Sequence, residues 1–411
     1  MPVSLKRNRE FMLLWSGQAL SGLGSQISQV AYPLLVLAVT GSPAKAGIVG
    51  FAQQVPIAVL ALPAGALADH LNRKRLMIVC DAIRGIALAS IAIAVATGEV
   101  PFWLIVLVAF IDGSGFVVSY VSERGALRQL VPSGQLSQAV ARNESRFFAA
   151  MLAGPPLGGL LFAIGRAVPF LVDAVSYAAS TISMLLIRSD FQEPRTDQST
   201  GTPWDGMRWL WRRSFLRLCA ILFAASNPVF TGLYLLVVVL AKEHGASAGL
   251  IGVMLGIAAA GGLLGAILAP RLQRRLSPRQ VLMSETWTFA LVIPLLLVAH
   301  NALLFGVILA AAELMTPVTN SIVVSFRVAL APDRLQGRVQ AASTLISFSA
   351  GWLGPLAVGF LVQDAGSSAT ILVFTGWALL LAIGASTARA FRHPPRLDTR
   401  APELATAASR A

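Results

Sequence analysis

Charge is scarce in this chain. Asp, Glu, Lys and Arg make up 12% of its 411 residues, about half of what ordinary soluble domains carry, which excludes a water-soluble globule. Cysteine is nearly absent: Cys80 and Cys219 lie in separate apolar segments without metal-ligand spacing, so neither a disulfide framework nor a zinc site is available. A membrane-embedded enzyme would need a charged or His-rich cluster, yet His70, His244, His300 and His393 all fall in loops, at helix ends or in the tail. No GxxxxGK[ST] loop occurs, so the chain has no phosphate cradle of its own for ATP. The sequence thus points away from an enzyme, and no cofactor or metal is expected.

What is abundant is apolar surface, with 56% hydrophobic residues. A helix needs roughly 20 apolar residues to cross the hydrocarbon core. Such runs fall near 11–38, 46–68, 76–97, 102–121, 137–165 and 169–187, and again near 216–240, 248–269, 280–299, 303–326, 337–362 and 369–388. These twelve spans use nearly the whole chain, and the expected fold class is an all-α integral membrane protein. The first span follows Lys6, Arg7 and Arg9 but is too long for a signal peptide and shows no clear small-x-small cleavage pattern, so it reads as a retained helix.

The net charge of +13 suggests nucleic acid until the charges are placed. With the N-terminus inside, only Lys45, Arg166 and Lys242 of the 32 basic residues fall outside. The excess is a positive-inside signal: it implies a multi-pass protein of the cell membrane with both termini cytoplasmic, in contact with lipid and with no nucleic-acid partner. The expected divisions are a six-helix bundle over 1–188, a cytoplasmic linker over 189–214, a second bundle over 215–390 and a disordered tail over 391–411. In the linker, Trp204, Trp209 and Trp211 interleave with Arg208, Arg212 and Arg213, a pattern suited to a short helix at the headgroup level.

A shift of 200 residues aligns Gly65 with Gly265, Lys74 and Arg75 with Arg274 and Arg275, Pro132 with Pro332, Gly154 and Pro155 with Gly354 and Pro355, and Gly159 with Gly359. The halves are therefore parallel repeats. Two such repeats about an axis along the membrane normal, with a site between them near the midplane, form a known transporter plan.

The loop after span 2, GALADHLNRKR over 65–75, resembles the signature loop of the major facilitator superfamily, Gly-x-Leu-Ala-Asp-Arg-x-Gly-Arg-Lys. Gly65, Leu67, Ala68, Asp69, Arg73 and Lys74 match, while His70 and Asn72 replace the usual arginine and glycine. Asn72 is expected to keep a left-handed bend. The resemblance implies a conformational latch: Gly65 lets span 2 approach its neighbour, Asp69 sits at a helix N-terminus in the other half with span 11 as its partner, and Arg73 pairs with Glu123. Span 5 carries GPPLGG, with Gly154, Pro155, Gly158 and Gly159. It resembles the superfamily's antiporter motif, with Ala150 in place of the first glycine, and the two prolines are expected to bend or weaken the helix. The longer stretches FMLLWSGQALSGLG and GMRWLWRRSFLRL resemble the twelve-helix drug:proton antiporter branch that contains macrolide and siderophore exporters.

Carboxylates inside apolar spans are functional candidates by default. Asp112 in span 4 and Glu313 in span 10 lie about halfway along, 201 residues apart. Asp112 is the expected main proton carrier, and Glu313 a second carrier or a substrate counter-charge. Asp81 and Arg84, three apart, are expected to pair locally. Gln26, Gln29, Gln53, Gln54 and Asn227 are candidates for the substrate cavity, and Asn227-Pro228 is expected to interrupt span 7. The resulting expectation is a monomeric secondary transporter that exports small amphipathic compounds in exchange for protons by alternating access. A proton-coupled or facilitative uptake carrier is the alternative, opposed only by the span 5 motif.

Overall fold

The computed structural model describes residues 5–189, 191, 204–332 and 335–392; most of the expected linker and the tail beyond 392 lie outside the described residues. The first half contains α1 (Arg9–Thr40), α2 (Pro43–His70), α3 (Arg73–Thr97), α4 (Phe102–Leu130), α5 (Leu136–Ile164) and α6 (Val168–Leu186). A short α7 (Trp204–Trp211) leads into α8 (Ser214–Glu243), α9 (Ala248–Arg275), α10 (Pro278–Val292), α11 (Ala302–Glu313), α12 (Thr316–Leu330), α13 (Gln336–Phe348), α14 (Leu353–Thr387) and a final turn, α15 (Arg389–Arg392). No strand occurs among the described residues.

The helix starts are written in short polar side chains. Asn8, Ser42, Asn72, Ser247, Ser277 and Asn301 each accept a backbone N–H of the first turn, which satisfies a donor that the helix itself cannot. Asn72 does this from an extended backbone, φ −63° and ψ 114°, so the expected left-handed bend is replaced by a cap.

Among the described residues, eleven helical segments are long and apolar enough to cross a membrane. The last, Gln336–Thr387, has 52 residues, a length of about 78 Å at 1.5 Å per residue, more than twice a hydrocarbon core. It divides at Gly366, whose φ of 83° is open to glycine and costly for other residues. Two crossings result, and the total is twelve.

Three spans are broken, though not where the prolines of spans 5 and 7 suggest. Span 9 ends in a 3-10 turn, Ile293–Leu297. Span 10 breaks at 314–315 between α11 and α12, and span 11 at 349–352 between α13 and α14. By contrast α5 runs unbroken through Pro155 and Pro156, and α8 through Asn227 and Pro228. One turn before Pro228, the Trp377 indole N–H donates to the Ala225 carbonyl at 2.9 Å, a contact between α14 and α8.

Within the first half α1 packs on α5 and α6, α3 on α4 and α6, and α2 on α4; in the second, α8 packs on α14 and α9 on α11. The halves meet where α2 crosses α14 and α5 crosses α9. Both seams lie toward the end opposite the Arg73–Arg75 and Arg274–Arg275 loops, the basic end. They are copies of each other. A β-carbon on Gly47 would lie 3.0 Å from the Gly359 Cα, and one on Gly252 would lie 2.9 Å from the Gly159 Cα and 2.7 Å from the Pro155 carbonyl. Glycine-on-glycine contact lets the backbones touch, and the GPPLGG segment and its repeat around Gly354 supply one side of each seam. Gly154 and Gly158 face inward, against Gln26 and Ile27 of α1.

The aromatic and basic segment of the linker does form a helix. In α7, Leu210 is buried, Gly206 lies against the Arg338 backbone, and Trp204 and Trp211 are exposed. Arg338 reaches Asp205 at 3.4 Å.

Candidate functional site

Midway between the halves, the break in span 11 faces α2 and α8. Two groups hold its unwound backbone: Thr231 Oγ1 donates to the Gly351 carbonyl at 2.6 Å, and Asn227 Nδ2 to the Ser347 carbonyl at 3.1 Å. Across the cleft, Phe51 of α2 meets Trp352 edge to face with centroids 5.4 Å apart. Gln54 approaches the same glycine, its Oε1 3.6 Å from where a Gly351 β-carbon would be. The structure therefore brings Gln54 and Asn227 together, joined by Phe51 and Trp352, which sequence reasoning missed. Gln29 is exposed, Gln26 packs by its Cβ against Gly154, and Gln53 turns inward to donate to Asp112 at 3.4 Å. An apolar aromatic pair with two adaptable amides suits amphipathic ligands. Trp352→Ala is expected to lower transport of large aromatic compounds about tenfold while leaving protein levels unchanged, measured as initial transport rate per molecule; the loss corresponds to about 1.4 kcal/mol.

The first half holds a closed polar core. Arg84, 5% exposed, lies at the middle of α3, not near an end as its inclusion among the inside charges implied. It pairs with Asp112, 4% exposed, at 2.7 Å, and its guanidinium stacks over the Tyr177 ring, 4.3 Å from the centroid. The Tyr177 hydroxyl lies 2.7 Å from Ser25 Oγ. The expected local pair with Asp81 is not made: Asp81 accepts from Ser180 at 2.7 Å and Gln18 at 3.4 Å. Asp173 accepts from Ser28 and Ser176. Asp112 thus faces a permanent cation. A mid-span arginine was the available signal, since such a residue is costly unless paired.

Glu313 is placed differently. It ends α11 at the break in span 10, half-buried, with the side chain near Gly262 of α9. It has no hydrogen bond or ion pair among the described residues.

At the basic end the latch residues Arg73, Lys74 and Glu123 find partners within the first half. Gly65 has nothing within 4 Å of its would-be β-carbon, whereas its repeat partner Gly265 lies hard against the Leu314 backbone. The expected Arg73–Glu123 pair is replaced: Arg146 of α5 holds Glu123 at 2.8 Å with Asn143 at 3.0 Å, while Arg73 Nε donates to the Ala68 carbonyl at 3.2 Å and its guanidinium packs on Gly125. Arg146 reaches Glu123 because α5 rises beside α4. Lys74 Nζ donates to the Ile187 carbonyl at 2.5 Å, a cation at the end of α6. The side chain of Asp69 lies outside the described residues.

Two six-helix repeats, paired glycine seams at one end and a broken helix at the centre are the frame of an alternating transporter. Residues 2–404 match the profile of the transmembrane secretion effector family, a branch of the major facilitator superfamily. The chain belongs to that family. Relatives of this chain include the multidrug efflux pump Tap of Mycolicibacterium fortuitum, 26% identical over 400 residues that cover 92% of this chain and 95% of the pump. Macrolide efflux protein A of Streptococcus pyogenes is 27% identical over 183 residues, 44% of each chain. Among solved structures, a bacterial homologue of the iron transporter ferroportin in an inward-facing state superposes with a TM-score of 0.72 at 18% identity, covering 94% of this chain and 100% of the other. A bacterial homologue of the lysosomal transporter Spinster, inward-facing and unoccupied, gives 0.68 at 15% identity over 94% and 96%. These likenesses show the fold. The chain is a multi-pass membrane transporter of small molecules.

Proposed function

We propose that this transporter exports small amphipathic compounds, drugs or secondary metabolites, across the cell membrane in exchange for protons. The observation that carries the reading is the asymmetry of the seams. Glycine contacts close one end of the cleft, while at the basic end a β-carbon on Gly65 would meet nothing within 4 Å. If the basic end is cytoplasmic, as the charge bias favours, the conformation takes its load from the cytoplasm. The relatives named for drug and macrolide efflux support the direction, and the span 5 motif agrees with it. The latch of Gly65, Asp69, Arg73 and Lys74 would engage when the halves rock the other way.

Counterflow into proteoliposomes preloaded with one member of a panel of macrolides and aromatic dyes tests the substrate class. Exchange of several unrelated amphipathic compounds is expected; exchange confined to one hydrophilic solute would favour the uptake carrier. Size-exclusion light scattering in detergent should give a monomer.

A further inference from the structure

The repeat that sets the halves side by side also lines up their acids. Asp112 corresponds to Ala312, beside Glu313, and Arg84 to Ser284, beside Glu285. The first half therefore places a cation against an anion. At the corresponding level the second half places two carboxylates, Glu285 on α10 and Glu313 at the end of α11, two helices that pack on each other.

The groups around this pair are almost all neutral. From α8, Tyr234 faces Glu313; from α12, Thr316 and Thr319 lie beside Glu285. Within α10 the Thr286 hydroxyl donates to the Leu282 and Met283 carbonyls, and Gly262 of α9 lies against Glu313. The one nearby cation, Arg327, lies farther along α12 toward the basic end, against Cys219. Glu285 is 9% exposed and borders a cavity of about 10 Å³ with Ser226, Val229, Phe289 and Ala378, room for about one water. Thr319, fully buried, and Thr316 make no hydrogen bond of ordinary length, and the group they stand beside is the Glu285 carboxyl. Buried hydroxyls in the interior of a membrane protein need such a partner. A carboxyl group that gains and loses a proton beside them meets that demand as acceptor in one state and donor in the other.

The two acids are also staggered. Glu285 is seven residues from the start of α10, about 10 Å from the basic end, and Glu313 eleven residues into α11, about 17 Å from the opposite end. The break at 314–315 is immediately beside Glu313, so rocking of α11 against α12 changes which side that carboxyl faces.

We infer that Glu285 and Glu313, not Asp112, form the proton-exchange site, with the Arg84–Asp112 pair holding the first half together. The inference rests on the proton-coupled reading above. A Glu313 carboxylate takes a proton from water when the cleft opens opposite the basic end. The proton passes to the Glu285 carboxylate through the intervening hydroxyls and water, and leaves to water at the basic end. Each acid returns to its starting state, and one proton has crossed.

The test uses proteoliposomes of the full chain, wild type, Glu313→Gln, Glu285→Gln and Glu313→Asp, with ethidium as probe. Both gradient-driven transport and gradient-free counterflow are measured. Expected are a tenfold or greater stimulation of the wild type by a pH gradient, its loss in both Gln variants with counterflow within twofold of wild type, and its retention in Glu313→Asp. Infrared difference spectra should show a protonated carboxyl band that Glu313→Gln removes. Stimulation that survives in both Gln variants overturns the inference, as does a Gln variant that loses counterflow too, which would assign the acids to folding or substrate binding. No stimulation in the wild type instead refutes proton coupling itself.

Discussion

Arg84→Ala is expected to remove most of the folded protein from the membrane. The substitution leaves the Asp112 carboxylate, 4% exposed, without its cation at 2.7 Å, and stripping one member from a buried ion pair costs about 3–5 kcal/mol. Little slack exists to absorb it, because Gln53 and Tyr177 reach Asp112 only at 3.4 Å. The aliphatic stem of Arg84 also fills the space beside Gly115, so its loss opens a void. Replacing both partners by apolar residues of similar volume, Arg84→Met with Asp112→Leu, removes both charges together and should restore much of the protein, as apolar replacement of buried pairs often does. Thermal unfolding followed by fluorescence-detected size exclusion gives the readout: a large loss of monodisperse protein in the single variant and recovery in the double. Because the charges cancel within the first half, the double variant should also keep the response of transport to a pH gradient.

Gly159→Leu should have the next largest effect, on the balance between conformations and not on folding. A β-carbon there would lie 2.7 Å from the Gly252 backbone, so α5 and α9 must separate. Overpacking of this kind costs about 1–3 kcal/mol, a shift of about 5- to 140-fold away from the conformation closed at this end. Gly359→Leu should do the same at the symmetric seam with Gly47. Nitroxides at Lys45→Cys and Asp364→Cys, both exposed beside the α2–α14 seam, on a Cys80→Ala, Cys219→Ala background, report the separation by pulsed electron resonance. Gly359→Leu should lengthen the main distance and slow transport at least tenfold. An unchanged distance distribution would show that the seam tolerates bulk and does not set the closed state.

The parts of the fold that follow from local composition were legible in the chain. Twelve apolar runs, the 200-residue offset and the side on which the basic residues gather need no tertiary knowledge, because lipid forces each span to be long, apolar and internally hydrogen-bonded. The polar core was less legible, because partners there are set by packing across helices. Asp81 and Arg84 share a face of α3 and seemed paired, yet α4 offers Arg84 a better acid in Asp112 while Ser180 of α6 takes Asp81. The same holds for Glu123, which meets Arg146 because α5 passes alongside. Proline was a poor guide to the breaks. Pro155 and Pro156 lie inside an unbroken α5, whereas span 11 unwinds at 349–352, where Thr231 and Asn227 supply the hydrogen bonds that the turn gives up.

The account as a whole turns on export driven by protons through a cleft that opens alternately to each side. Everted membrane vesicles from cells making this protein, with an acid interior and ethidium outside, test it most directly. Ethidium should accumulate in the lumen, collapse when nigericin dissipates the pH gradient, and fail to accumulate in vesicles carrying Glu313→Gln. Accumulation indifferent to nigericin, or transport into right-side-out vesicles down a proton gradient, would contradict the account.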